Sequence, residues 1–385
     1  MWMRPYAAII DGNLTPRLEF YVENGTIMDI RPQSGPSDPY ILSPAFVNAH
    51  SHLEYRGFQD ALKEPSYWPW ISKLASLKPT QDLEQVRLDT LLAAKENHQT
   101  GVALIGEWSD RPYSGEAMTK AGLKGILYQE VLTVGFTNAE TTEDIFKQIK
   151  KKRKNNENHY DGPILWGPHA PYTVHPETLS YLANQHQPFS IHVAETEIED
   201  QFFEGKGGPI ADFCLKYGFP LKPTGTRVFE YLEEKGIVQE GAQFVHCCAL
   251  QVQDVEIMAK VGVRAAHCPR SNKRLQCPYA PIREMLDVGV LVGLGMDSPA
   301  SGSTIDMFAE MRAALKLSQE RRAPLSPEEV WNMATTMGAL SLGTSDWKIQ
   351  KGSHVPLIQI WISDAASTKD LIQKSAPELV RWVKS

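Results

Sequence analysis

Eight short apolar runs alternate with longer amphipathic stretches from residue 44 to about residue 300. The runs are Ala45–Ala49, Val102–Glu107, Gly125–Val131, Ile164–Pro168, Phe189–Val193, Gln243–Cys247, Val263–His267 and Val290–Gly295. Helical spacing of apolar residues marks Leu83–Asn97, Pro176–Gln185, Val252–Val261 and Pro281–Val288 between them. Strands that read as nearly continuous apolar runs are buried on both faces, as in parallel sheets covered by helices. Eight strand–helix alternations within roughly 250–300 residues predict an α/β fold of the (β/α)8 barrel type rather than an open doubly wound sheet. No G-x-G-x-x-G follows the first run and no G-x-x-x-x-G-K-[ST] occurs, so dinucleotide and P-loop readings lack support.

The chain ends do not belong to that alternation. Residues 1–43 hold strand candidates Tyr6–Ile10, Leu18–Val22 and Thr26–Ile30, with turns at Asp11-Gly12-Asn13 and Glu23-Asn24-Gly25. Three short strands cannot close a core alone, and Ile358–Ile362 is their expected partner. The expected organisation is therefore a small β-sandwich from 1–43 plus 350–368, a barrel over 44–349, and a surface helix over 369–385.

Composition bounds the function. A formal net charge of −7 argues against a nucleic-acid surface over the whole molecule. The one strong basic run, Lys147–Lys154 with its charges clustered over 150–154, reads as the solvated end of an outer helix. No stretch approaches the ~20 apolar residues of a membrane span, and Met1–Pro5 lacks the long apolar segment of a signal peptide. The cytoplasm is the expected location. The five cysteines contain no Cys-x-x-Cys pair and read as free thiols.

Barrel active sites lie where strands end at their C-terminal face. Six of the eight predicted strands end there in histidine or aspartate: His50 and His52, His169, His192, His246, His267, and Asp297. The first pair is spaced i, i+2, which places both imidazoles on one side of a strand end, ready to share a metal ion. A single histidine at a strand end is more often a structural hydrogen-bonder. Six such ends on one rim are difficult to explain as packing.

These residues resemble the amidohydrolase superfamily. Pro44-Ala45-Phe46-Val47-Asn48-Ala49-His50-Ser51-His52, then His192-Val193-Ala194-Glu195, then Val245-His246-Cys247, then Gly295-Met296-Asp297-Ser298 follow its motif order. More narrowly they are similar to its branch of adenosine-type and cytosine-type deaminases and chlorohydrolases. The resemblance spans about residues 6–362 and implies the barrel and terminal sandwich read above. It implies metal ligands His50, His52, His192 and Asp297. Binuclear relatives bridge two metals through a carboxylated lysine after strand four, and Ile164–Pro168 has no lysine, so one divalent metal per subunit is expected. Zinc suits the set, with iron or manganese as alternatives. The resemblance further implies Glu195 as the proton-transfer group, His246 as the residue orienting water, and Asp297 as a second proton carrier. His267 has the weaker claim of bracing its strand.

For the substrate, the resemblance implies an aminated heterocycle, with a homodimer as the expected assembly. Pro168–Tyr172 is similar to a segment of purine-nucleoside deaminases, which implies that His169 contacts base or ribose. Cys268-Pro269-Arg270-Ser271-Asn272, with Cys277 beyond, resembles a subgroup containing deaminases of 6-amino-6-deoxyfutalosine, an adenine nucleoside of menaquinone synthesis that carries a benzoate. Arg270 and Ser271 are the expected carboxylate receivers, since a guanidinium pairs bidentately with a carboxylate; a loop ion pair is the competing reading of Arg270. Trp68–Asp82 lacks the glutamate that deaminases of methylthioadenosine and S-adenosylhomocysteine carry for the ribose. Those two substrates, guanine and chlorinated heterocycles are the alternatives, and a non-catalytic barrel is the reading from another class. Glu54 and Glu107, at strand ends, are further candidate substrate contacts. Trp68 and Trp70 are read as either walling a pocket or packing a loop.

Overall fold

The structure, a computed structural model, describes residues 1–134 and 142–383. Its centre is a parallel barrel in two arcs. Phe46–Ser51, Val102–Ser109, Lys124–Val131 and Ile164–Pro168 form one. Ser190–Val193, Gln243–His246, Arg264–His267 and Val292–Leu294 form the other. Single bridges join the arcs, Trp166 to Phe189 on one side and Ser51 to Asp297 on the other. Every predicted barrel strand is present with its ends moved by a few residues or fewer. The predicted helices appear as Leu83–Gln99, Pro176–Ala183, Val252–Val261 and Ile282–Asp287.

The chain ends form two sheets. Trp2–Met3, Leu18–Glu23 and Thr26–Pro32 make a three-stranded one. The other runs Val380–Trp382, Leu357–Ile360, Asp38–Pro44, Pro5–Ile10, Asn13–Pro16. Phe20, Val22 and Ile27 of the first pack in one buried cluster with Ala7, Ile41 and Ile358 of the second. The expected partner from near the C-terminus pairs with Asp38–Pro44, Ile358 opposite Ser43 and Ile360 opposite Ile41. That strand is hidden in the sequence because Tyr40–Ala49 reads as one apolar run; Pro44, which cannot donate to a ladder, separates two strands of different sheets.

Two further expectations are corrected. The tail is not one helix: Thr368–Lys374 is helical, Pro377–Leu379 turns, and Val380–Trp382 returns as an edge strand. A proline cannot continue the helix, and the apolar Val380 has a sheet edge to cover. The stretch with Trp68 and Trp70 is not a loop but a helix, Tyr67–Leu77, whose Tyr67, Trp70 and Leu74 are buried over the barrel mouth. The basic run ends the outer helix Thr142–Glu157, where Lys152 pairs with Asp110 at 2.7 Å and Arg153 with Glu157 at 2.7 Å. Among the described residues no helix is long and apolar enough to cross a membrane.

Candidate metal centre and active site

Three imidazoles converge at the C-terminal mouth of the barrel. His192 Nε2 lies 3.3 Å from His50 Nε2 and 3.4 Å from His52 Nε2. Nitrogens ~2.0–2.1 Å from a tetrahedral ion stand about 3.3–3.4 Å apart, so the spacing is that of a ligand edge. The tautomer of His192 is fixed, because its Nδ1 donates to the His169 carbonyl at 2.7 Å and leaves Nε2 with a lone pair. One lone pair cannot serve two neighbouring N–H donors as well as a shared cation serves all three rings. Burial, with the neighbouring rings adding to it, pushes the His50 and His192 pKa values well below the usual range, and His52 falls to about 4. The rings are thus held neutral, the form that binds metal.

Asp297 completes the set, with Oδ1 3.8 Å from both His50 Nε2 and His52 Nε2. Its other oxygen accepts from Ser271 Oγ at 2.6 Å and Ser301 Oγ at 2.8 Å, which fixes the carboxylate plane. Its backbone is stitched to the first strand: Asp297 N donates to His50 O and His52 N to Asp297 O. The approach is tight enough to require glycine at 295, where a Cβ would stand 2.9 Å from both the Cβ of His50 and the Sγ of Cys268. The donors present therefore fit one divalent ion.

Glu195 and His246 face the same cavity as His52, His192 and Asp297. Glu195 follows Ala194, which sits at φ 49, and the turn is held by Glu199, whose carboxylate accepts from the backbone N–H groups of Ala194 and Glu195 at 3.0 and 2.8 Å. Burial pushes the Glu195 carboxyl well above the usual range, a setting that suits a group that takes and returns a proton. His246 Nε2 lies 3.6 Å from Glu195 Oε2, and its Nδ1 pairs with Asn272 Oδ1 at 2.8 Å. His246, Cys247 and Asp297 also hold positive φ values of 69, 55 and 53. Left-handed non-glycine residues at successive strand ends mark backbone held in place for its side chains.

His169 lines the cavity, its Nδ1 2.8 Å from Thr173 Oγ1 and its Nε2 3.9 Å from Glu130 Oε1. His267 does not line it; it faces a separate cleft beside Asn272. Trp108, fully buried, packs its ring 4.4 Å from that of His192. Nothing in the sequence marks it beyond its place on the second strand. Tyr67 and Trp70 cover the cavity from the Tyr67–Leu77 helix.

Four further expected substrate contacts have protein partners. Arg270 spends its guanidinium on Thr304, donating to the carbonyl at 2.8 Å and to Oγ1 at 3.1 Å, and on buried Glu310 at 3.5 Å. Ser271 donates its hydroxyl to Asp297, which holds that carboxylate in place. Glu54 accepts from the backbone N–H groups of Asp110 and Arg111 at 2.9 and 2.8 Å, and burial lifts its pKa to about 7. Glu107 takes the Leu53 N–H at 3.1 Å and the Ser114 hydroxyl at 2.9 Å, clamping the chain just beyond His52. Glu54, Asp110 and Glu130 lie close enough to hold an ion, but Lys78 fills that role, 3.1 Å from Asp110 and 3.4 Å from Glu130. Arg270→Ala should lower stability by ~1–3 kcal/mol, because it leaves the buried Glu310 carboxyl without its counter-charge and with only the backbone N–H of residue 270 at 3.2 Å. Urea midpoints measure that loss, and an equal effect on KM for acidic and uncharged substrates would confirm that the guanidinium is structural.

A family model described as the amidohydrolase family matches residues 41–352. The 5-methylthioadenosine/S-adenosylhomocysteine deaminase of Desulfitobacterium hafniense is 30% identical over 353 residues, 86% of this chain and 77% of that protein. The 5'-deoxyadenosine deaminase of Methanothrix thermoacetophila is 28% identical over 94% of this chain and 85% of its own length. Among solved structures, the zinc-bound adenosine deaminase of Xanthomonas campestris superposes with a TM-score of 0.82 at 21% identity, covering 98% of this chain and 90% of that one. The Helicobacter pylori aminofutalosine deaminase with methylthio-coformycin gives 0.82 at 16% identity, covering 100% and 97%. These two superpositions carry the fold.

Proposed function

Because this chain belongs to the amidohydrolase family, we propose that it is a metal-dependent aminohydrolase of an adenine-type nucleoside, and that 6-amino-6-deoxyfutalosine, an intermediate of menaquinone synthesis, is its substrate. The observation that carries the reading is one buried cavity lined by His52, His192 and Asp297 together with Glu195 and His246. His50, His52, His192 and Asp297 hold the ion, with zinc the first choice over iron and manganese for this nitrogen and oxygen set. When bound, the ion supplies Lewis acidity that makes water nucleophilic near neutral pH.

The chain's own residues do the rest. Glu195 takes a proton from the attacking water and delivers it to the ring nitrogen beside the carbon under attack. His246, held through Asn272, keeps its other nitrogen toward the cavity and orients that water. Asp297, its plane set by two serine hydroxyls, carries a proton to the departing amine, which leaves as ammonia. His169 contacts the base or ribose from the cavity wall. A single active site per chain needs no second subunit for this chemistry, and a homodimer is the assembly we propose on the strength of the resemblance.

Nucleoside chemistry is supported by what the two relatives above are named for, and the futalosine assignment by the Cys268–Asn272 segment. The 30% identity to a methylthioadenosine/S-adenosylhomocysteine deaminase favours that pair as the second reading. The test is product release by zinc-loaded protein, measured as ammonia from aminodeoxyfutalosine, adenosine, methylthioadenosine, S-adenosylhomocysteine and guanine and as chloride from a chlorinated triazine. Turnover of adenine nucleosides, highest on the first, is the expected result. Turnover of the triazine alone would move the enzyme to chlorohydrolysis, and silence on all six with metal bound would sink the aminohydrolase reading.

A further inference from the structure

The cavity at the metal cradle is small, 30 Å³, room for the reacting atoms and little more. A second cleft of 270 Å³ adjoins it, sharing His169 and Ile71 as lining residues. A ring that reaches Glu195 therefore extends its remote end past His169 into this outer space, whose volume approaches the roughly 300 Å³ at which ligand pockets begin. The walls come from three elements: the covering helix Tyr67–Leu77, the segment after the fourth strand, and the helix Pro209–Tyr217.

The chemistry of those walls is specific. Trp68 and Tyr172 lie 5.5 Å apart on one side, and Phe213 and Tyr217 lie 4.9 Å apart on the other. Tilted rings at such separations offer edges and faces to a further aromatic ring. One cation, Lys216, lines the cleft; its ammonium lies 5.0 Å from the Tyr217 ring centroid and makes no ion pair among the described residues. The one anion, Asp212, stands a helical turn earlier. With Arg270 and Ser271 engaged elsewhere, this lysine is the cationic group of the cleft left open to a ligand.

We infer that the outer cleft is the subsite for the end of the nucleoside remote from the reacting ring. It selects an aromatic carboxylate there, with the ring among Trp68, Tyr172, Phe213 and Tyr217 and the anion on Lys216. The inference rests on the adenine-nucleoside reading above and adds to it the residues that set specificity.

The test compares the zinc-loaded enzyme and its Lys216→Met and Lys216→Glu variants on two substrates: a 5'-extended adenine nucleoside ending in benzoate, and its methyl ester. Wild type is expected to prefer the acid by about 10–100-fold in kcat/KM, through KM, since a charge-assisted contact is worth ~1.5–3 kcal/mol. Lys216→Met should erase the preference and Lys216→Glu should invert it, with kcat on the acid held within about threefold. A merely structural lysine would change both substrates alike. Retention of the full acid-over-ester preference in both variants would overturn the role of Lys216. Equal wild-type turnover of acid, ester and methylthioadenosine would overturn the subsite while leaving the deaminase standing. Silence on every adenine nucleoside would overturn the deaminase and the subsite together.

Discussion

Glu195→Gln is expected to lower kcat by about 10²–10⁴-fold, the usual range for removing a positioned proton-transfer group, while leaving the bound metal unchanged. The amide keeps the size and shape of the side chain but cannot accept the proton of the attacking water. The turn that carries residue 195 should survive, because Glu199 holds it through two backbone N–H groups rather than through the side chain of 195. The three imidazoles and Asp297 are untouched, so metal measured on the purified variant should match wild type. Near-normal turnover would remove Glu195 from the reaction. Loss of metal together with activity would mean that Glu195 belongs to the cradle rather than to the proton path.

The second large effect concerns the cradle itself. His192→Ala removes the nitrogen that stands within 3.4 Å of both other rings, and it should reduce bound metal from about one ion per chain to a trace. Activity should fall below detection and excess zinc should not restore it. Stability carries an independent signature. A ligand that binds only the folded state stabilises it by RT ln(1 + [L]/Kd), ~2.7 kcal/mol at a hundredfold excess over Kd. Wild-type melting should therefore drop on chelation, and the variant's melting should ignore the chelator. A His192→Ala protein with a full metal complement would place the ion on another ligand set.

What the sequence discloses about this molecule follows from how local each feature is. The proposed ligands His50, His52, His192 and Asp297 stand at the ends of apolar runs, and a strand end is defined by its own few residues. Those strands appear where periodicity puts them, and the side chains meet because a barrel brings all strand ends to one rim. Glu195 and His246 are legible for the same reason. Arg270, Ser271, Glu54 and Glu107 are different: their roles depend on which backbone or side-chain group a folded loop presents to them. Arg270 faces Thr304, thirty-four positions away, and Glu54 caps Asp110, fifty-six positions away. No short pattern encodes such pairings. Tyr67 is invisible for a related reason, since an aromatic residue reads as core until the fold shows a cavity beside it. Glu199 is the exception that a closer reading would catch: a carboxylate four residues beyond Glu195 can turn back onto the backbone N–H groups that precede it.

The five-stranded sheet that knits the chain ends has a kinetic consequence. Asp38–Pro44 lies against Leu357–Ile360, with Pro44 opposite Leu357, so about 300 residues separate a strand from its neighbour. At ~5–20 residues per second of synthesis, that interval lasts roughly 15–60 s. Throughout it, one edge of Asp38–Pro44 waits with its backbone unpaired and its apolar residues uncovered, a template for any passing strand. The molecule's most vulnerable period is thus its own synthesis, and the barrel, whose neighbouring strands follow one another along the chain, is the part able to form while the sandwich waits for its last strands.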